Sequence, residues 1–321
     1  MTKISDISVM LFPWDAKRPS VNKIIDVAKL AEDIGFYSVT LPTHMTMPPS
    51  WFFRDFRNQD ILDARVLMPA IAAATSKIKI GFNSLLLPTL PPYEWAKYLA
   101  TLDVMSDGRV IFGAAMGWWE EDFAAVGVER KYRGRLFDEQ LEAITRLWTE
   151  DRTTFEGQFY QLKNMSLEPK PVQKPYPPIW IGGGVKSIHR AARYGECILS
   201  FWPDEEQVRS LWLPKLKEEG KKWGTDPKLH AFTFAYVAKD EADFQANLPK
   251  LQLGVAFEDD SIDPLEVTIS GTPERCAERL NTLMNAGVSH FVVEFQFHGL
   301  ETVDFGMAQM KTFAKEVAPL L

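Results

Sequence analysis

Short apolar runs alternate with longer stretches whose apolar residues recur every three or four positions, and the alternation persists from one end of the chain to the other. The short runs lack a polar face, as strands covered on both sides do. The longer stretches have the spacing of helices laid on a core. Residues 7–12 are the first strand. Ser20 then offers an N-cap to a helix over 21–34, with Ile24, Val27, Ala28 and Ala31 on one face and Gly35 at its end. Further strands are predicted over 38–41, 78–87, 110–116, 179–181, 197–201, 230–237 and 290–297. Helices are predicted over 63–75, 93–105, 136–148, 205–222, 273–286 and 302–317. Thr272 as cap, Pro273 at the first position and Gly287 after the end follow the usual asymmetry of helix termini. Around Gly157 the pattern shortens to a small hairpin.

Eight strands interleaved with helices make a closed (β/α)8 TIM barrel the economical fold, with a doubly wound open sheet as the alternative. No low-complexity linker divides the chain. A single domain over 1–321 is therefore expected, with insertions at about 43–60, 152–176 and 251–266. The first is rich in proline and aromatic residues. The last reads as irregular and acidic, a candidate lid. In such a barrel the chemistry sits at the carboxyl ends of the strands.

Composition narrows the choices. Apolar residues make up 46% and charged residues 25% of the 321, as in ordinary globular proteins. A net charge of −7 argues against general nucleic-acid binding. No apolar run approaches a membrane span, and the N-terminus lacks an apolar signal core, so a cytoplasmic protein is expected. Cys197 and Cys276 read as reduced core thiols. The 10 Trp suit a flat apolar ligand as well as they suit packing.

The richest stretch is Ile179-Trp180-Ile181-Gly182-Gly183-Gly184, followed by Lys186, Ser187 and a short helix. Glycines let the backbone approach a ligand, and a helix start offers free N–H groups to an anion, most simply a phosphate. An ordinary strand-to-helix connection uses the same residues. Trp14, Trp51, Phe52, Trp118 and Trp119 are candidates for an apolar substrate pocket or for rim packing. His189, His230, His290 and His298 show no metal-ligand spacing, so no metal site is expected. An aldolase or isomerase barrel needs a strand-end lysine or carboxylate; Glu294 is the sole candidate and reads as poorly placed.

The ordered fragments resemble the luciferase-like, flavin-dependent monooxygenase family. They run from Ala31-Glu32-Asp33-Ile34-Gly35-Phe36 through Ala100-Thr101-Leu102-Asp103, Met116-Gly117-Trp118, Arg133-Gly134 with Asp138-Glu139, and Pro178-Ile179-Trp180-Ile181-Gly182-Gly183 to Gly271-Thr272-Pro273-Glu274. The resemblance implies reduced FMN, or the 8-hydroxy-5-deazaflavin coenzyme, at the barrel mouth. It implies a non-prolyl cis peptide at Asn83-Ser84, Ala115 and Met116 beside the isoalloxazine, and the phosphate held by Gly182, Gly183, Gly184 and Ser187. Arg190, one turn on, is expected to face solvent. His44 becomes the candidate acid or base, although Thr43 stands where the family often carries an acidic residue. Trp119 departs from the family and is a candidate contact to this chain's own substrate. The activity implied is oxygenation of a small apolar or carbonyl-bearing molecule, with a separate flavin reductase and a homodimer. Deazaflavin-dependent hydride transfer and a non-catalytic flavin-binding subunit remain as alternatives.

Overall fold

The computed structural model describes residues 3–11, 20–43, 50–51, 54–55, 62–201, 203–255, 263–295 and 302–321. Eight parallel strands form its centre: β1 (Ile7–Met10), β2 (Ser38–Leu41), β3 (Lys79–Phe82), β4 (Val110–Ala115), β5 (Ile179–Gly182), β6 (Cys197–Phe201), β7 (Lys228–Val237) and β8 (Val288–Glu294). Each pairs with the next in chain order, and β8 pairs with β1. That last pairing closes the sheet and excludes the open doubly wound alternative.

A helix follows each strand: α1 (Val21–Ile34), α2 (Ala64–Ala74), α3 (Pro92–Met105), α4 (Arg133–Thr149), α5 (Ile188–Tyr194), α6 (Leu213–Trp223), α7 (Pro273–Ala286) and α8 (Val303–Thr312). Ser20 caps α1 by accepting from the Lys23 amide, and Gly35 ends it at φ 92°. Thr272 stands at the start of α7 without the expected cap bond from its hydroxyl. Strand parity divides the core. Ile7, Val9, Val39, Leu41, Ile80, Phe82, Ile179 and Ile181 pack outward with the helices. Met10, Ile111, Trp180, Leu199, Phe232, Phe234 and Val292 fill the barrel interior. The free thiols are both buried, Cys197 inside the barrel and Cys276 against the helical layer.

Several boundaries depart from the pattern, each for a local reason. The third apolar run, read as one strand over 78–87, stops at Phe82 and resumes as Leu85–Leu86, which pairs with β4. The stretch 205–222 is helical in pieces: Val208–Trp212 has a widened turn just before Pro214, whose ring cannot fit a regular preceding turn. Glu241–Val255 is a helix, so 251–255 are not irregular as expected; residues 256–262 of that candidate lid lie outside the described residues. The hairpin around Gly157 is present as Thr153–Glu156 paired with Gln161–Met165. Its tip amides, from Gln158 and Phe159, donate to the Glu139 carboxylate on α4. Among the described residues no helix is long and apolar enough to cross a membrane.

Candidate active site

At the carboxyl ends of β3, β4 and β5 three small residues meet. A methyl group placed on Gly182 would lie 2.7 Å from Ser84 Oγ and 3.3 Å from Ala115 Cβ. Only glycine permits this approach of β5 to the ends of β3 and β4. The Asn83–Ser84 peptide is cis, as the resemblance implies. Asn83 is buried with its amide nitrogen 3.5 Å from Met10 Sδ on β1. The Ser84 carbonyl accepts a 2.6 Å hydrogen bond from Thr43 Oγ1, and Thr43 is itself buried. The residue noted as a departure from the family thus ties the end of β2 to the end of β3.

Beyond β5 the chain turns through Gly183 and Gly184. The Gly183 amide donates to Leu199 on β6, and its φ is 150°. Ser187 folds back over it: its Oγ lies 2.8 Å from where a Gly183 Cβ would stand, and the side chain is buried. Gly184 is exposed, with nothing within 4 Å of a Cβ position. A 3-10 turn, Val185–Ser187, leads into α5, so the amides of Val185 and Lys186 stand where a helix start leaves N–H groups without internal acceptors.

Arg190 does not face solvent. It is buried, with Nε 2.6 Å and Nη2 3.1 Å from the two Asp138 oxygens and Nη2 3.2 Å from the Gly134 carbonyl. Its guanidinium also lies 5.4 Å from the centre of the Phe137 ring. A planar fork on one carboxylate is a geometry lysine cannot reproduce. The pair clamps α5, and with it the glycine turn, to α4.

Ala115 faces the Gly182–Ser84 contact. Met116, next in sequence, points the other way and lines a crevice of about 10 Å³ with Pro88 and Phe123. Trp118 is exposed at the mouth, and Trp119 is half-buried at the start of the helix Glu120–Ala125. Trp14 and His44 lie outside the described residues, and Trp51 is described for its backbone alone.

Three features of the mouth escape the sequence pattern. Glu294, dismissed as poorly placed, is buried at the last position of β8, on the inward parity of His290 and Val292. It is the register partner of Phe234. Phe201 and Phe232, also inward, are partners across β6 and β7. Both faces of β6 and β7 are apolar, so alternation could not reveal which side each aromatic occupies. A groove of about 440 Å³ lies elsewhere, on the outer helices between Asp138, His189, Arg193, Lys222 and Trp223. Its charges are already paired, Asp138 with Arg190, Arg193 with Glu142 and Lys222 with Glu218 and Glu219. Among the described residues no cluster of three or more potential metal ligands occurs.

The family model described as luciferase-like monooxygenase matches residues 8–264. The chain belongs to that family. The FMNH2-dependent dimethylsulfone monooxygenase of Pseudomonas putida is 26% identical over 287 residues, covering 78% of this chain and 76% of the relative. The solved monooxygenase RslO1 from Streptomyces bottropensis superposes with a TM-score of 0.84 at 22% identity, over 98% of both chains. An F420-dependent secondary alcohol dehydrogenase in complex with an F420-acetone adduct superposes with a TM-score of 0.79 at 19% identity, over the full length of both. The shared fold thus carries both monooxygenases and an F420-dependent dehydrogenase.

Proposed function

We propose that this luciferase-like protein is a monooxygenase that takes reduced FMN from a separate reductase and oxygenates a small apolar or carbonyl-bearing organic molecule. The convergence of Ser84, Ala115 and Gly182 carries this reading. It is a bed without bulky side chains at the mouth of the barrel, against which a flat ring system fits. The name of the dimethylsulfone relative supports FMNH2 as the cofactor. Reduced FMN, when bound, supplies the electrons that let one atom of O2 enter the substrate while the other leaves as water.

The chain's own residues have four tasks in this reading. The amides after Gly184, with Lys186 as a point charge, hold the phosphate at the head of α5. Ser187 serves through the turn it packs, since its hydroxyl folds onto Gly183. Asn83, Ser84, Ala115 and Gly182 seat the ring, with the Met116 backbone beside them. The aromatic residues Trp14, Trp51, Trp118 and Trp119 exclude water and bind substrate. His44 handles a proton at the mouth. The chain acts as one domain and as a homodimer; Val66 on α2 and Met105 on α3 are large exposed apolar side chains on the outer layer, suited to pairing of helices.

Titration of the purified protein with FMN and with the deazaflavin coenzyme tests the cofactor, and oxygen uptake with reduced FMN tests the reaction. FMN binding with oxygen uptake is expected. Deazaflavin binding without oxygen uptake moves the protein to the hydride-transfer branch. FMN binding with neither reaction across a broad substrate panel leaves the non-catalytic subunit.

A further inference from the structure

Alternation along β2 turns Val39 and Leu41 outward, and Ser38 and Thr40 into the barrel. Ser38 finds its partner there in Ser8. Thr40, one inward step nearer the mouth, does not: it is wholly buried, and its Oγ1 has no hydrogen-bond partner among the described residues. Its neighbours in register are Met10 on β1 and Gly81 on β3, which offer no polar side chain. The next inward residue beyond Gly81 is Asn83, which is 7% exposed. Its amide reaches across the end of β2 to Met10 Sδ at 3.5 Å, and so closes over the Thr40 hydroxyl. A thioether is a weak acceptor. The Asn83 Oδ1 accepts from Ser84 Oγ at 3.5 Å, a long contact for two oxygens. The Asn83 side chain therefore keeps hydrogen-bonding capacity that these two contacts do not use.

A buried hydroxyl or amide without a good partner is costly, and native proteins satisfy such groups with protein or with ordered water. Water needs at least two polar partners, and the Thr40 hydroxyl and the Asn83 amide supply both donors and acceptors. Met10 and Ile111 beside them are apolar and belong to the barrel interior. Polar groups that face one another beyond direct bonding distance are commonly bridged by water. We propose that Thr40 Oγ1 and the Asn83 side chain hold one internal water molecule at the floor of the barrel mouth, and that Thr40 acts through it as a positioning residue for Asn83. The positioning role rests on the flavin reading, in which Asn83 helps to seat the ring; the water site is a property of the protein without cofactor.

Crystal structures of flavin-free wild type, Thr40→Val and Thr40→Ser, at a resolution that shows ordered water, test the site. Wild type and Thr40→Ser are expected to show a water within about 3 Å of both the hydroxyl and the Asn83 side chain, and Thr40→Val to lose it. Thermal melting gives a second reading. With the water bound, Thr40→Val strands its partners and the melting temperature falls by about 2–4 °C. Without it, the same change removes an unsatisfied hydroxyl and the melting temperature rises. For the positioning role, FMN and riboflavin, which share the ring, are titrated by fluorescence. Thr40→Val should weaken both by about threefold to fivefold, and Thr40→Ser should restore both. No water at this place in wild type, or a higher melting temperature in Thr40→Val, overturns the site. Equal affinity of Thr40→Val and wild type for the two flavins overturns the positioning role. Failure of wild type to bind either flavin while the water is seen overturns the flavin reading instead.

Discussion

Thr43 contributes one hydroxyl, and that hydroxyl donates to the Ser84 carbonyl at 2.6 Å in a buried setting. A carboxylate at this position could not donate, so threonine there is a specific solution for joining the ends of β2 and β3. Thr43→Val keeps the shape and leaves the carbonyl without its donor, which costs about 1–3 kcal/mol locally. FMN affinity is expected to fall by about fivefold to tenfold. Thr43→Ser, which restores the hydroxyl, returns it close to wild type. Fluorescence titration of the three proteins decides the matter, and equal affinity in Thr43→Val and wild type removes the role. Gly182→Ala tests the opposite side of the same bed. Its methyl group would press on Ser84 Oγ and Ala115 Cβ, so FMN binding should weaken while far-ultraviolet circular dichroism stays unchanged. The small residues of the bed were legible as glycine and alanine at strand ends. The Thr43 bond was not, because its partner lies 41 positions away and a lone threonine after an apolar run has many other uses.

At the scale of elements, the strands and their helices follow from apolar spacing, because a strand covered on both faces and an amphipathic helix leave different periods in the sequence. The misreadings fall where that period breaks. The third apolar run hides the interruption at Asn83 and Ser84, since a polar residue already occurs within it at Lys79 and apolar residues resume at once at Leu85. Glu241–Val255 contains Pro249 and carries no clear apolar stripe, so nothing in its spacing announces a helix. The α4–α5 clamp was equally hidden, because an arginine one turn into a helix reads as a solvated charge until its partner 52 residues away is in view. This clamp makes a sharp prediction. Arg190→Met leaves Asp138 without its main partner, and because Asp138 is 40% exposed the loss of stability should be moderate, about 2 kcal/mol. Its effect on ligands should be selective. FMN and riboflavin share the ring and differ in the phosphate, so a loosened α5 should weaken FMN by about tenfold and riboflavin far less. Equal weakening of both would mean that the clamp supports the barrel generally and not the phosphate turn.

The whole barrel is closed at its amino-terminal end by a buried polar and aromatic layer, and this layer sets how the molecule meets acid. Ser38 donates to Ser8 at 2.6 Å, leaving the Ser8 hydroxyl to donate to His290 Nε2 at 2.7 Å. His290, His230, Trp180 and Tyr37 pack ring on ring, with centroids 4.7 to 6.3 Å apart. His230 Nδ1 has no hydrogen-bond partner among the described residues. Burial holds His290 neutral down to about 3, and burial with the neighbouring His290 pushes His230 well below its usual range. In the unfolded chain both titrate near 6.5. Between those values the unfolded state binds protons that the folded barrel refuses, so stability rises with pH there and is lost as pH falls. The lowered carboxyls of Glu32, Asp63 and Glu150 act in the same direction, but only in the carboxylate range below. Burial raises the Glu196 carboxyl, which acts in the opposite direction, so urea unfolding at pH 7, 6 and 5.5 reads the histidines against that smaller opposing contribution. The slope should steepen below pH 6.5 toward about 2.7 kcal/mol per pH unit for two protons, and His290→Gln should reduce it toward about half. A flat profile across this window would show that the two imidazoles accept protons without opening the barrel.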